Sequence, residues 1–270
     1  MYDYLLNLKN RMEEQGSRSI EEFIVNSCSC TDVKTRYDAG MINSEQIVSN
    51  ILKDKYYHYD ENRTEPVKID SHLGLFDCVT CKKCLHVCPN GANFSIHTGK
   101  LIVPYTEYRI LNGDVEEAGE GQFELKKEYQ IANIADLCNE CGNCDTYCPE
   151  YGAPYIKKPR FFLMEDTYLK FDNYDGFYFP DLCTLKGRID GSEYELSRNE
   201  DGTKYCWKAT DYLVEFNGQN DVLDKKIKSD KVFFIINMHH YFIFKVLLDN
   251  IIKDSNSYAS IILGGEYLKR

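Results

Sequence analysis

The sequence predicts an α+β fold, and three observations carry that expectation. Residues 1–70 hold apolar side chains at helical spacing, residues 71–160 alternate apolar and polar residues around a doubled cysteine motif, and residues 161–270 combine a hairpin signal with a long apolar run. Of the 270 residues, 43% are hydrophobic and 28% charged, enough to bury a core and unlike a disordered chain.

The first stretch, MYDYLLNLKNRMEEQG, reads as an amphipathic helix ending at Gly16. It has no h-region or small-residue cleavage site, so no secretory signal is expected. Ser19, with Glu22 three positions on, forms a capping box opening SIEEFIVN. A further helix is expected to open near Ser44 and to carry Ile47, Val48, Ile51 and Leu52 on one face. The polar stretch KYYHYDENRTEPVKIDSHLG then connects to Cys78.

KLIVPYTEYRIL and QFELKKEYQIANI read as strands, and NGDVEEAGEG between them as an acidic hairpin loop with a solvated tip. CTLKGRIDGSEYELS reads as a hairpin turning at Asp190–Gly191, and DGTKYCWKA extends the strand region. A helix from about Asp230 to Asp254 closes the expected small α+β domain of residues 161–270. Within it, Phe233–Ile252 is about as long as a membrane span. It also contains Asn237, His239, His240, Lys245, Asp249 and Asn250, which are costly in hydrocarbon, so burial in a soluble core is expected and no membrane span.

The motif itself is CVTCKKCLHVCP, Cys78–Pro89, and its near-copy CNECGNCDTYCP, Cys138–Pro149. Both spell C-x2-C-x2-C-x3-C-P and together hold eight of the 12 cysteines. Tight clusters of this kind, without a secretory signal, point to metal rather than disulfides and to a reducing cytoplasm. In a run of this spacing three cysteines serve one 4Fe–4S cluster while the fourth serves the other. Cluster I then takes Cys78, Cys81, Cys84 and Cys148, and cluster II takes Cys138, Cys141, Cys144 and Cys88. The trailing proline holds the fourth cysteine at a chain reversal. Each repeat completes the other's cluster, so the two are expected to pack about a pseudo-two-fold axis.

Structural zinc is the competing reading, but zinc sites use distant cysteine pairs around one tetrahedral ion. The C-x3-C-x2-C arrangement of radical-forming clusters is absent, so the clusters are expected to carry electrons and not to perform chemistry. Lys82 and Lys83 follow Cys81, where Gly142 and Asn143 follow Cys141. Cations near a cluster favour its reduced state, which gives cluster I the higher potential unless both lysines point to solvent. Cys28, Cys30, Cys183 and Cys206 read as small hydrophobes, with a third metal site as the alternative. His239 and His240, adjacent on a helix, read as core or surface residues before metal ligands. The net charge of −11 argues against sequence-independent nucleic-acid binding and favours docking to a basic patch on a protein partner.

FDCVTCKKCLHVCPNGANFSI and LCNECGNCDTYCPEYGAPYIKKPRFF resemble the ferredoxin-type C-terminal region of large iron–sulfur flavoproteins. That group includes selenate reductase subunits and glutamate-synthase-related oxidoreductases, with a more distant similarity to dihydropyrimidine dehydrogenase. The likeness is strongest over residues 70–175. It implies a ferredoxin-like core at 71–160 with an enlarged hairpin between the motifs, and clusters that pass electrons between flavins and an external carrier. The chain has no room for the flavin barrel or dinucleotide domain of the long members, and no G-x-G-x-x-G lies between a strand and a helix. The expected function is electron transfer through two 4Fe–4S clusters, as a ferredoxin-like protein or a subunit serving a flavoprotein or other redox partner, with no catalytic residues of its own. The alternatives are part of an oxidoreductase whose flavin and substrate site lie on another chain, and a zinc-stabilised interaction module.

Overall fold

Helix formation near the N-terminus obeys the capping signal. The computed structural model describes residues 2–27, 36–55, 58–62, 67–228, 233–251 and Leu263. Its contacts divide into two units, Met1–Glu65 and Pro66–Arg270. The first holds helices α1 (Tyr2–Glu14), α2 (Ile20–Ser27), α3 (Arg36–Ile51) and the short α4 (Tyr59–Asn62). Ser19 Oγ accepts the Glu22 N–H at 3.1 Å, as a cap should. The Glu22 carboxylate reaches back to the Arg18 N–H at 2.6 Å, one residue before the cap. α3 begins at Arg36, well ahead of the expected start. Ser44 does not cap it; its hydroxyl donates to the Gly40 carbonyl one turn back, the other use helices make of serine. Ile47, Val48 and Leu52 stay exposed on this helix region. Cys28 and Cys30 lie outside the described residues.

The second unit mixes helices and strands. It runs through α5 (Lys83–His86), β1 (Asn93–His97), β2 (Leu101–Leu111), β3 (Asp114–Leu125), β4 (Tyr129–Ile134), α6 (Asn143–Thr146), α7 (Pro154–Lys157), β5 (Arg160–Phe162), α8 (Glu165–Lys170) and β6 (Gly176–Asp181). Then come β7 (Thr184–Ile189), β8 (Ser192–Arg198), β9 (Lys204–Ala209), β10 (Tyr212–Asn217), β11 (Val222–Ile227), β12 (Phe233–Ile236) and α9 (Met238–Ile251). One sheet has nine strands in the order β1-β4-β5-β6-β7-β8-β9-β10-β11; a second has three, β12-β2-β3. The sequence pattern suggests a separate domain from residue 161. The large sheet runs through that point, because β5 pairs in parallel with both β4 and β6.

Two elements differ from expectation. NGDVEEAGEG is not a loop: only Asn112 and Gly113 turn, at φ 51° and 84°, and the acidic residues after them form β3. Asn-Gly supplies the two positive φ values of a tight hairpin, so the strand resumes at once and pairs back along β2. The run expected to be helical from Asp230 contains β12, whose Phe233–Ile236 pairs with Tyr108–Leu111 at the sheet edge. The helix starts after it at Met238, where Asn237 Oδ1 caps the His240 N–H at 2.9 Å. The hairpin at Asp190–Gly191 forms as read, with φ 51° and 71°.

α9 is buried on nearly every side, with ten of its residues in the core. It lies between the two sheets: Phe242 meets Tyr105 and Phe123 of the small sheet, while Phe244 meets Phe177, Tyr194 and Trp207 of the large one. This accounts for a helix apolar all round without a membrane. Among the described residues no helix is long and apolar enough to cross one.

Gly187 in β7 sits tightly against both the neighbouring strand β6 and α9. A Cβ there would stand 2.5 Å from Phe177 Cδ1, 2.8 Å from the Gly176 carbonyl oxygen and 3.0 Å from Phe244 Cζ. Gly187→Ala is expected to cost about 1–3 kcal/mol by overpacking, read as a lower denaturant midpoint. An unchanged midpoint would show that Phe177 and Phe244 can shift to make room there.

Candidate metal centre

The two motifs fold alike, residue for residue. Thr80 and Glu140, each one place before the second cysteine, have φ 54° and 55°. Lys82 and Gly142, each one place after it, have φ 60° and 80° and open α5 and α6. The two helices then end at Val87 and Tyr147 with φ of −88° and −89°. Repeated left-handed residues turn the chain sharply, the backbone form that can gather N–H groups around an anion. Cys84 and Cys144 are buried, whereas Cys81 and Cys141 are exposed.

Strand pairing carries both motifs to one end of the large sheet. Motif 1 leads into β1 and motif 2 leaves β4, and the antiparallel register sets Asn93 against Asn133. Asn133 Nδ2 donates to Asn93 Oδ1 at 2.9 Å, and Asn93 Nδ2 donates to the Cys84 carbonyl at 2.9 Å.

Cys78, Cys81, Cys84 and Cys148 line one cavity, with Leu73, Ile131, Pro154, Lys82 and Lys158 around them. The fourth cysteine of motif 2 is thus brought to the first three of motif 1. On the other side, Cys138 and Cys88 are the thiols whose charge acts on Cys144. Burial, and then repulsion from Cys78, Cys81, Cys144 and Cys148, pushes the Cys84 thiol up to about 12. Burial also raises Cys144 and Cys148; hydrogen bonds from the Tyr155 backbone and the Asn93 side chain oppose it at Cys144, and one from the Glu150 backbone at Cys148. Cys88 Sγ accepts the Ala92 N–H at 3.2 Å. The Cys84, Cys144 and Cys148 thiols hold their protons until a cation takes their place. Among the described residues no group of three or more His, Cys, Asp or Glu is placed to hold a single metal ion. Four thiols spread around a cavity, with amide donors at sulfur, fit an iron–sulfur cluster in their donor chemistry.

Residues 76–151 match the 4Fe-4S dicluster domain. This region, under a third of the chain, is therefore an iron–sulfur segment of the kind that transfers electrons. Two curated relatives, both named "Putative oxidoreductase YgfK", from Escherichia coli O157:H7 and Escherichia coli K12, are 30% identical to it over 122 residues. The aligned stretch covers 45% of this chain but only 9% of either relative. No solved structure matches the chain significantly.

Several residues that hold the dicluster region together are missed by motif reading. Glu150, buried, accepts the Val79 N–H at 2.9 Å and the Ser71 hydroxyl at 3.1 Å. Its counterpart Asn90 donates to the Leu137 carbonyl at 3.0 Å. Each residue just after a Cys-Pro thereby braces the start of the opposite motif, a role that aligning the two repeats exposes. Asp77 accepts the Lys126 and Lys127 N–H groups at 3.0 Å and binds Gln130, fastening motif 1 to the turn before β4. Residues 69–73, expected as plain connector, run beside motif 2: the Ile69 N–H reaches the Pro149 carbonyl at 2.7 Å, and the Leu73 N–H that of Tyr151 at 2.8 Å.

The remaining candidates stay apart from the cysteine cavity. Cys183 and Cys206 are half-buried and free, on a turn and on β9. His239 packs on Phe123 and His240 on Tyr194, both held below the usual imidazole range by burial. Lys83 is exposed, but the Lys82 ammonium lies 4.5 Å from the Tyr129 ring centre and lines the cavity.

The left-handed position after the second cysteine is a lysine in one motif and a glycine in the other. A Cβ at Gly142 meets nothing within 4 Å, so Gly142→Ala tests backbone strain alone. It is expected to cost about 1–2 kcal/mol in thermal unfolding of the iron-loaded protein. Lys82→Gly relieves the same strain and gives up a cation–π contact of about 0.5–1 kcal/mol, so its melting temperature should rise.

Proposed function

We propose that this chain carries electrons through two 4Fe–4S clusters, one held by Cys78, Cys81, Cys84 and Cys148, the other by Cys138, Cys141, Cys144 and Cys88. The observation that supports this reading best is the meeting of Cys148 with the first three cysteines of motif 1 around one cavity. When bound, the clusters supply reversible one-electron storage. The chain's own residues set the surroundings. Leu73, Ile131 and Pro154 limit water at the first set, backbone N–H groups stabilise sulfur charge, and Asn93 joins the two sets through the Cys84 carbonyl and the Cys144 thiol. The exposed Cys81 and Cys141, at equivalent places in the two motifs, give electrons an entry and an exit. The acidic surface suits a flavoprotein or other redox partner with a basic docking face. The relatives are far longer oxidoreductases, which supports a wire serving a larger enzyme over a free-standing catalyst.

Anaerobic analysis should give about eight iron and eight sulfide per chain, with spin-coupled EPR signals after dithionite reduction. Cysteine pairs test the crossed assignment. Cys78→Ala with Cys148→Ala should lose about four iron, no more than either change alone, while Cys144→Ala with Cys148→Ala should lose both clusters. The opposite pattern would assign each motif its own cluster. Zinc without sulfide would remove the function itself.

Lys82 and Lys158 both line the first cavity, and the Lys158 Nζ is buried without a hydrogen-bond partner. Two lysines against the single Glu150 carboxylate in the lining of that cavity favour the reduced state of the first cluster, so the potential difference is ascribed chiefly to Lys158 and Lys82 rather than to exposed Lys83. Lys158→Met is expected to lower the higher midpoint potential by tens of millivolts in a redox titration and to leave the lower one nearly fixed. A shift no larger than that of Lys83→Met would defeat this account.

A further inference from the structure

The surface around Cys81 carries the opposite sign from the chain as a whole. The net charge is −11, yet Lys82 and Lys83 follow Cys81 directly, and folding brings Lys126 and Lys127 to the same region. Asp77, next to Cys78, makes that junction: its carboxylate accepts the backbone N–H groups of Lys126 and Lys127 at 3.0 Å. From the other side, the Lys82 ammonium stands 4.5 Å from the ring centre of Tyr129, just past Lys127 in the chain. The His97 ring lies 4.9 Å from the same ring, since His97 pairs with Tyr129 across β1 and β4. Lys83, Lys126 and Lys127 are exposed, and so are Cys81, Val79 and Tyr129.

The lysines outnumber the carboxylates in these stretches. Asp77 is engaged by the two N–H groups and by Gln130, and Glu128 is exposed. Further along the strands Lys100 and Glu124 offset each other, beside the paired Leu101 and Leu125. Motif 2 has a different surface: Asn139, Glu140, Gly142 and Asn143 stand where motif 1 has Val79, Thr80, Lys82 and Lys83. At 0.1 M salt charges are screened over about 10 Å, so a partner in contact with Cys81 senses these lysines before the remote acidic residues. Val79 and Tyr129 add the apolar and aromatic contact that the centre of a protein interface favours.

We propose that the face around Cys81 docks a small electron-carrier protein whose own redox group is ringed by carboxylates. This rests on the function proposed above, and it leaves a basic partner to the Cys141 face. Lys83, Lys126 and Lys127 steer the acidic carrier, and Val79 and Tyr129 meet its surface beside Cys81. One electron then passes between the carrier and the first cluster, oxidising one and reducing the other.

Anaerobic stopped-flow on the full-length, iron-loaded protein tests this, after dithionite reduction and removal of the excess. The probes are cytochrome b5, an acidic one-electron acceptor, and cytochrome c, a basic one, at about 0.1 M salt. One variant combines Lys83→Glu, Lys126→Glu and Lys127→Glu. A control of equal charge combines Lys204→Glu, Lys226→Glu and Lys228→Glu, exposed lysines toward the β11 edge, the far end of the large sheet from β1 and β4. The first variant should reduce cytochrome b5 about tenfold or more slowly than the control does, and cytochrome c no more slowly. If the first variant loses iron, Lys126→Gln with Lys127→Gln carries the comparison. Equal rates for variant and control with cytochrome b5 overturn the proposal, as does an equal loss with cytochrome c. Calorimetric binding of oxidised cytochrome b5 needs no electron and separates the two readings. Binding weakened by the first variant alone, in protein without iron, leaves the surface standing and removes the clusters. Reduction of both acceptors that variant and control slow alike does the reverse.

Discussion

The Asn93–Asn133 contact is the constraint on which the arrangement of the cysteines depends. The motifs are sixty residues apart in sequence and cannot find each other by local geometry. Antiparallel pairing of β1 and β4 brings the exit of one motif beside the entrance of the other, and the paired asparagine side chains fix that end of the register. Both are almost wholly buried and Asn133 Oδ1 already lacks a partner, so a slip by one residue would leave the Asn133 Nδ2 and Asn93 Oδ1 atoms unpaired as well. Asn93 reaches further, to the Cys84 carbonyl and the Cys144 thiol, so the same side chain sets the strand register and touches both motifs.

Around this point the protein collects groups that are costly alone. Buried thiols repel one another, and the Lys158 Nζ, buried beside the same cavity, makes no hydrogen bond. Packing of α9 between two sheets and the cross-braces of Glu150 and Asn90 hold these groups in place, so the stability of the sheet offsets the cost of the site. The proposed clusters answer the repulsion among these thiols, because iron supplies from outside the chain the positive charge that the cysteines need.

Much of this was legible in the sequence. The spacing of the eight cysteines, the cap at Ser19, the Asp190–Gly191 turn and the burial of the last helix each come from local chemistry, and the 4Fe-4S dicluster match at 76–151 agrees with the first of them. Legibility failed where long-range pairing decides the conformation. Asp114–Gly121 looks like an acidic loop, yet β2 offers it a full partner strand, and backbone pairing outweighs the poor strand propensity of its residues. Phe233–Ile236 looks like the opening turn of the last helix, yet the free edge of β2 claims it.

The chemistry of the metal centre and the shape of each motif are written in short windows of sequence. Residue spacing dictates how thiols and left-handed turns fall within a dozen residues, and that is a local matter. Which cysteine meets which is settled by the folded chain alone, because Cys148 reaches the first cavity through a parallel strand crossover. Folding likewise puts Lys158, one lysine of a basic stretch, beside that cavity with its Nζ buried and unpaired. Burial of a polar group depends on what the rest of the chain lays over it, and no short window of sequence contains that.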